Sequence, residues 1–128
     1  MKYIISLVLC IFIACSSDEP KPIHENYQDT WYYSYGPAGI AGKFAIFQDQ
    51  LDAETFTLHG VNHQVVSAFV SLTDNNKPYY IFVESENTTH GLYFTIISGN
   101  PDKLKCKLVY KEYNVSTEVI AYLQRDEP

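Results

Sequence analysis

A chain of 128 residues with formal net charge −6 has room for one domain with a genuine core, not two, and its acidity argues against nucleic acid or anionic lipid as partners. Eleven Tyr, seven Phe and one Trp, set among β-branched residues, point to strands and away from a helical fold.

In chain order, Lys2 precedes an uncharged run, Tyr3 to Ala14, which has the charged head and apolar body of an export signal. The run is shorter than the roughly 20 apolar residues of a membrane span, and Asp18, Glu19 and Pro20 stop it from being extended. Within "IFIACSSDEP", the stretch Phe12 to Cys15 resembles the lipobox of bacterial lipoproteins, with small Ala14 before Cys15, though Phe12 stands where Leu is usual. Cys10 follows Leu9, a poor cleavage residue, and is the lesser candidate. The resemblance implies removal of residues 1–14, a diacylglycerol on the Cys15 thiol and a small Gram-negative lipoprotein. Ser16 beside the anchor, followed by Asp18 and Glu19, implies an outer-membrane address and exposure at the cell surface. Several acyl chains, each buried CH2 contributing about 0.8 kcal/mol, hold a small domain on a bilayer almost permanently.

Residues 15–27 are then the acylated cysteine and a flexible tether with two prolines and no apolar periodicity, leaving 28–128 as the β domain. Stretched out, the tether reaches about 40 Å. The mature chain of 114 residues has net charge −7, since Lys2 leaves with the signal. Cys106 is then its one free thiol, so the fold rests on packing without a disulfide.

Eight apolar runs follow at the spacing of an all-β barrel or sandwich: 30–35, 42–48, 54–59, 64–72, 78–84, 91–98, 104–113 and 117–124. Two stretches also fit other elements, a short helix at 49–54 and helical spacing within 61–72, where β-branched density favours strand. "LKCKLVYKEY" alternates cleanly: Leu104, Cys106, Leu108 and Tyr110 face one side, and Lys105, Lys107 and Lys111 the other. Val119, Ala121 and Leu123 form the inward set of the final run. The connections "TDNNKP", "SENTTHG", "SGNPDK" and "NVST" are short enough for hairpins. Short hairpins favour a single antiparallel domain closed as an eight-stranded up-and-down barrel, which leaves no open edge; a β-sandwich is the alternative.

"YQDTWYYSY", with its Trp on the first strand, followed by a Gly-rich loop and seven short strands, resembles the small lipocalin-like β-barrel lipoproteins. That resemblance implies that Trp31 closes the barrel floor, although Asp29 occupies the place of the family's usual Gly. It also implies that "YGPAGIAG", Tyr35 to Gly42, is a lid over the mouth; read from its residues alone, the segment is a plain turn.

No Ser, His and acid cluster and no paired carboxylates can be assigned from spacing, so the expected protein is not an enzyme and needs no cofactor. His59 and His63 are four apart, but Gly60 between them argues against a helix and a metal site, and His24 and His90 add no coherent spacing. The expected function is a non-catalytic binding module for a small apolar or amphipathic ligand, with Trp31, Tyr33, Phe44, Phe69 and Phe94 as candidate lining. The alternative is a lipoprotein that binds a surface protein or glycan, as an inhibitor, immunity factor or accessory subunit, with Tyr32, Tyr79 and Tyr80 as stacking surfaces.

Overall fold

The computed structural model describes residues 22–127. Cys15 and the expected signal lie outside the described residues. Ten strands, β1 (Asp29–Tyr35), β2 (Ile40–Phe47), β3 (Gln50–Asp52), β4 (Thr55–Leu58), β5 (Val61–Gln64), β6 (Ser67–Leu72), β7 (Pro78–Glu84), β8 (His90–Asn100), β9 (Lys103–Glu112) and β10 (Val115–Gln124), form one curled antiparallel sheet. Its order is β5-β4-β2-β1-β10-β9-β8-β7-β6, with β3 paired to β2. The outermost members, β5 and β6, are the two halves of one bent run. At the bend, the Val65 N–H donates to the Glu54 carbonyl beside β4, and the Val66 N–H donates to the Glu84 carbonyl of β7, both at 2.9 Å. Neighbouring residues of one run thus bond to opposite sides of the sheet.

Each of the eight expected runs contains strand. The run expected over 64–72 divides at the bend, and its first half begins at Val61. The helical alternatives are not adopted. Gln48, with φ at +60°, turns the chain tightly enough to lay β3 back along β2, and 61–72 is strand on both sides of the bend.

The concave face holds the core. Side chains alternate across a strand, so Leu104, Cys106 and Leu108 point inward and are fully buried, with Ala121 and Leu123 beside them from β10. Trp31, Tyr33, Phe44, Ile46, Phe56, Ile81, Leu92 and Phe94 fill the rest. Each such side chain contributes roughly 1.5–3 kcal/mol by leaving water. Gly42 is required here. It pairs with Tyr33 across β1 and β2, and a Cβ on it would stand 2.2 Å from the Tyr33 hydroxyl.

The domain begins earlier than the expected residue 28. Ile23 and Tyr27 are buried, and Glu25–Tyr27 form a 3-10 turn. The Ile23 N–H bonds to Gln48, and the His24 N–H to Asn76, at 2.7 and 2.8 Å. Residues 22–27 are therefore part of the fold and do not belong to a tether. The Tyr27 carbonyl accepts the Trp31 indole N–H at 3.0 Å, and the Arg125 guanidinium lies 4.5 Å over the Trp31 ring. Arg125 also donates to the carbonyls of Gln28 (2.7 Å), Pro101 (2.8 Å) and Asn26, fastening the amino-terminal segment to the end of β10 and the turn between β8 and β9.

Candidate functional site

Four of the five candidate lining residues come together. Tyr33 meets Phe94 edge-on at 5.0 Å, and Phe44 lies about 6 Å from both, while Trp31, the register partner of Phe44, is buried beside them. A hollow large enough for a ligand would leave the side chains around it open on that side. Trp31, Phe94, Ile81, Leu92, Cys106 and Leu108 are instead covered completely, which is the packing of a solid interior. Phe69 departs from the group: Ala68, Val70 and Leu72 pack on the core, so Phe69 points outward, 48% exposed, and stacks on Phe82 at 5.5 Å. Tyr32, Tyr79 and Tyr80 share no platform, since Tyr79 and Tyr80 are consecutive on one strand and face opposite ways.

Burial without a partner marks Tyr33. Its hydroxyl is 1% exposed with its side chain, accepts and donates nothing among the described residues, and is held well above the ordinary tyrosine range by loss of water. Cys106 is likewise pushed up, to about 12, by burial, so its thiol is an inert core atom.

A ligand-sized concavity lies outside, where β2 changes partner. Ala45–Phe47 pair with β3, and Ala41 and Gly42 pair with β4, leaving Lys43 and Phe44 between the two pairings. The result is an open groove of about 730 Å³. Small side chains floor it, Ala41, Ala45, Thr55 and Thr57, and Tyr32 flanks them. Asp52, Glu54 and Glu127 supply acidic groups against the single cation Lys43.

A second cluster forms at the mouth farthest from the amino-terminal segment. His63 of β5 stacks on His90 at the start of β8, ring centroids 4.2 Å apart, and also on Phe56 at 5.3 Å. His90 pairs with Glu112 across β8 and β9, and the Glu112 carboxylate lies 3.3 Å from the His59 Nε2. Tyr113 and Tyr110 pack edge-on against His90 and His59. Loss of water, then the nearby His90, lowers the His63 pKa, and Glu112 opposes the shift. Among the described residues, no group of three or more His, Cys, Asp or Glu side chains is set to hold a metal ion. Parallel imidazoles direct their lone pairs side by side and not at a shared point. The Gly-rich segment is built into this mouth as a fixed turn: Ala38 is buried, and the carbonyls of Ala38 and Gly39 accept the N–H groups of His59 and Gly60. A Cβ on Gly39 would meet the Gly60 nitrogen at 2.8 Å, so only glycine lets the two turns touch.

Spacing could not reveal this cluster, because register joins only His90 to Glu112, and the β5 and β8 sides meet through side-chain contacts between strands that are not neighbours. The groove was hidden for a related reason, since it depends on where β2 exchanges β3 for β4.

Comparison with protein-family models, with curated proteins and with solved structures gives no match in any of the three.

Proposed function

We propose that this protein is a non-catalytic binding module, anchored at the outer membrane through acylated Cys15 and displayed at the cell surface, that takes a small amphipathic ligand in the groove over β1, β2 and β4. One observation carries the reading: a concavity of about 730 Å³, within the range of small-molecule sites, that sets alanines and a tyrosine face beside three acidic groups. The apolar part of the ligand lies against Ala41, Ala45 and Tyr32, and its head donates hydrogen bonds or carries positive charge toward Asp52, Glu54 and Glu127. Trp31, Tyr33, Phe44 and Phe94 are packed too closely to line such a space, which is why the candidate site moves from the interior to the outer face. The test is amide chemical-shift mapping of the mature chain against alkylammonium, alkyl glycoside and fatty-acid probes. An alkylammonium or glycoside should move Thr30, Lys43, Ala45 and Thr55 together, and Ala45→Trp should abolish the response. Shifts that survive Ala45→Trp, or no response to any probe, overturn the assignment.

A second reading, a protein-interaction lipoprotein, is favoured by the outward row Phe69, Phe82 and Tyr93, which the register aligns across β6, β7 and β8. Phe69 is exposed and Phe82 and Tyr93 are half-buried, and aromatic side chains are enriched where proteins meet. Phe69→Ala should then weaken capture of a stoichiometric partner from native membranes and leave groove binding unchanged.

A further inference from the structure

Net charge conceals how the charge is distributed. Four of the seven basic residues among those described, Lys103, Lys105, Lys107 and Lys111, lie on the outer side of β9 in a chain whose total is −6. Alternate residues of a strand stand about 6.7 Å apart, so the row runs about 27 Å in single file. None of the four is in an ion pair among the described residues. Lys105, Lys107 and Lys111 are flanked by Ser98, Thr95 and Gly91 on β8 and by Tyr122, Ile120 and Ser116 on β10, all uncharged. Like charges lined up without an ion-pair partner oppose one another, and the fold does not need them there.

We infer that the β9 row is a docking surface for a linear acidic polysaccharide, one carrying carboxylate or sulfate groups. The row is one strand wide, because its flanking strands add no cation in register with it, and this suits an extended chain better than a flat anionic bilayer. Sugar rings find apolar faces beside it in Tyr122, 40% exposed and already 4.7 Å under the Lys103 ammonium, and in Ile120. Two carboxylates stand close to the row: Glu118 pairs with Val109 of β9, and Glu84 lies one strand beyond Gly91, accepting the Tyr93 hydroxyl at 2.5 Å. Carboxylates accept hydrogen bonds from sugar hydroxyls, which a polysaccharide carries on its rings and a DNA backbone lacks, and this favours a glycan over DNA. The surface is separate from the groove, so either can fail alone.

The test uses the acylated protein in neutral detergent with polygalacturonate, dextran sulfate, neutral dextran, an oligothymidylate and phosphatidylglycerol vesicles. Polygalacturonate or dextran sulfate should bind, more weakly as salt rises, while neutral dextran does not. The double variant Lys105→Gln/Lys107→Gln should weaken binding about tenfold. Tyr122→Ala should weaken it further, and Lys77→Gln and Ala45→Trp should leave it unchanged. An unchanged circular dichroism spectrum certifies each variant as folded, and Lys105→Arg/Lys107→Arg, which keeps the charge, should retain binding. The inference is overturned if neither acidic glycan binds, if the Gln variant binds as tightly as the parent, or if the oligothymidylate or the vesicles bind as tightly as the glycans.

Discussion

The imidazole of His63 lies stacked on that of His90, ring centroids 4.2 Å apart and planes 24° from parallel, so a strand near one end of the sheet order and the start of β8 meet through two titratable rings. His59, Glu112, Tyr110 and Tyr113 are the other titratable groups around this contact. Protonating both stacked rings sets two like charges side by side.

The consequence is a stability that depends on pH. Desolvation and His90 lower the His63 pKa in the folded chain, with Glu112 opposing, so the unfolded chain takes up that proton more readily. The stabilising contribution of neutral His63 is therefore complete above the ordinary value of about 6.5 and is lost as pH falls through the lowered folded value. Urea denaturation between pH 7.5 and pH 5 should show a declining midpoint, and His63→Gln should flatten that decline. Titration by nuclear magnetic resonance should place the His63 midpoint below 6.5, and a midpoint above it would contradict the geometry.

Tyr33→Phe should be neutral or stabilising, by up to about 2 kcal/mol, because it removes a buried hydroxyl that has no partner and keeps the ring. Gly42→Ala should cost about 1–3 kcal/mol through the clash with that hydroxyl. The cost should shrink only in part in the Tyr33→Phe background, since a ring carbon 2.6 Å from the new methyl group remains. A double-mutant cycle in urea measures the coupling, and strict additivity would mean that the two positions do not touch.

Replacement of Arg125 by Ala should cost about 2 kcal/mol, because the guanidinium covers the Trp31 ring and bonds to three backbone carbonyls. Arg125→Lys should recover little, since an ammonium cannot span those carbonyls as a planar fork does. Hydrogen exchange reads the effect directly: amides of Ile23 and Tyr27 should lose protection before those of β9.

Thiol counting tests both the core and the anchor. Burial holds the Cys106 thiol up at about 12, so it should resist maleimide at pH 7.5 in the native protein and react fully in denaturant. If Cys15 carries lipid, the denatured mature chain should take up one maleimide. Uptake of two would remove the basis for the membrane address.

Much of the sheet is legible from alternation alone. The inward set Leu104, Cys106 and Leu108 follows from the period of two, as do Ala121 and Leu123, because β9 and β10 are long and unbroken. Phe69 is misplaced for the opposite reason. The bend at Val65 and Val66 resets which residues face inward, and no composition signal marks it. β3 is three residues long, too short for a pattern to show. Ile23 and Tyr27 sit among prolines and charges that suggest a tether, and only hydrogen bonds to distant turns bring them into the core. The lysine row was visible as a pattern on one strand, but not its isolation, which depends on which uncharged residues of β8 and β10 the register sets beside it.

Pairing of β1 with β10, through Tyr32 and Gln124, couples segments some ninety positions apart. Joining them carries a large loop-closure cost, and it can happen only after β10 has emerged from whatever machinery delivers the chain. Until then β1 and β9 each present an unpaired edge, so a chain halted during delivery is open to association with its neighbours and to proteolysis.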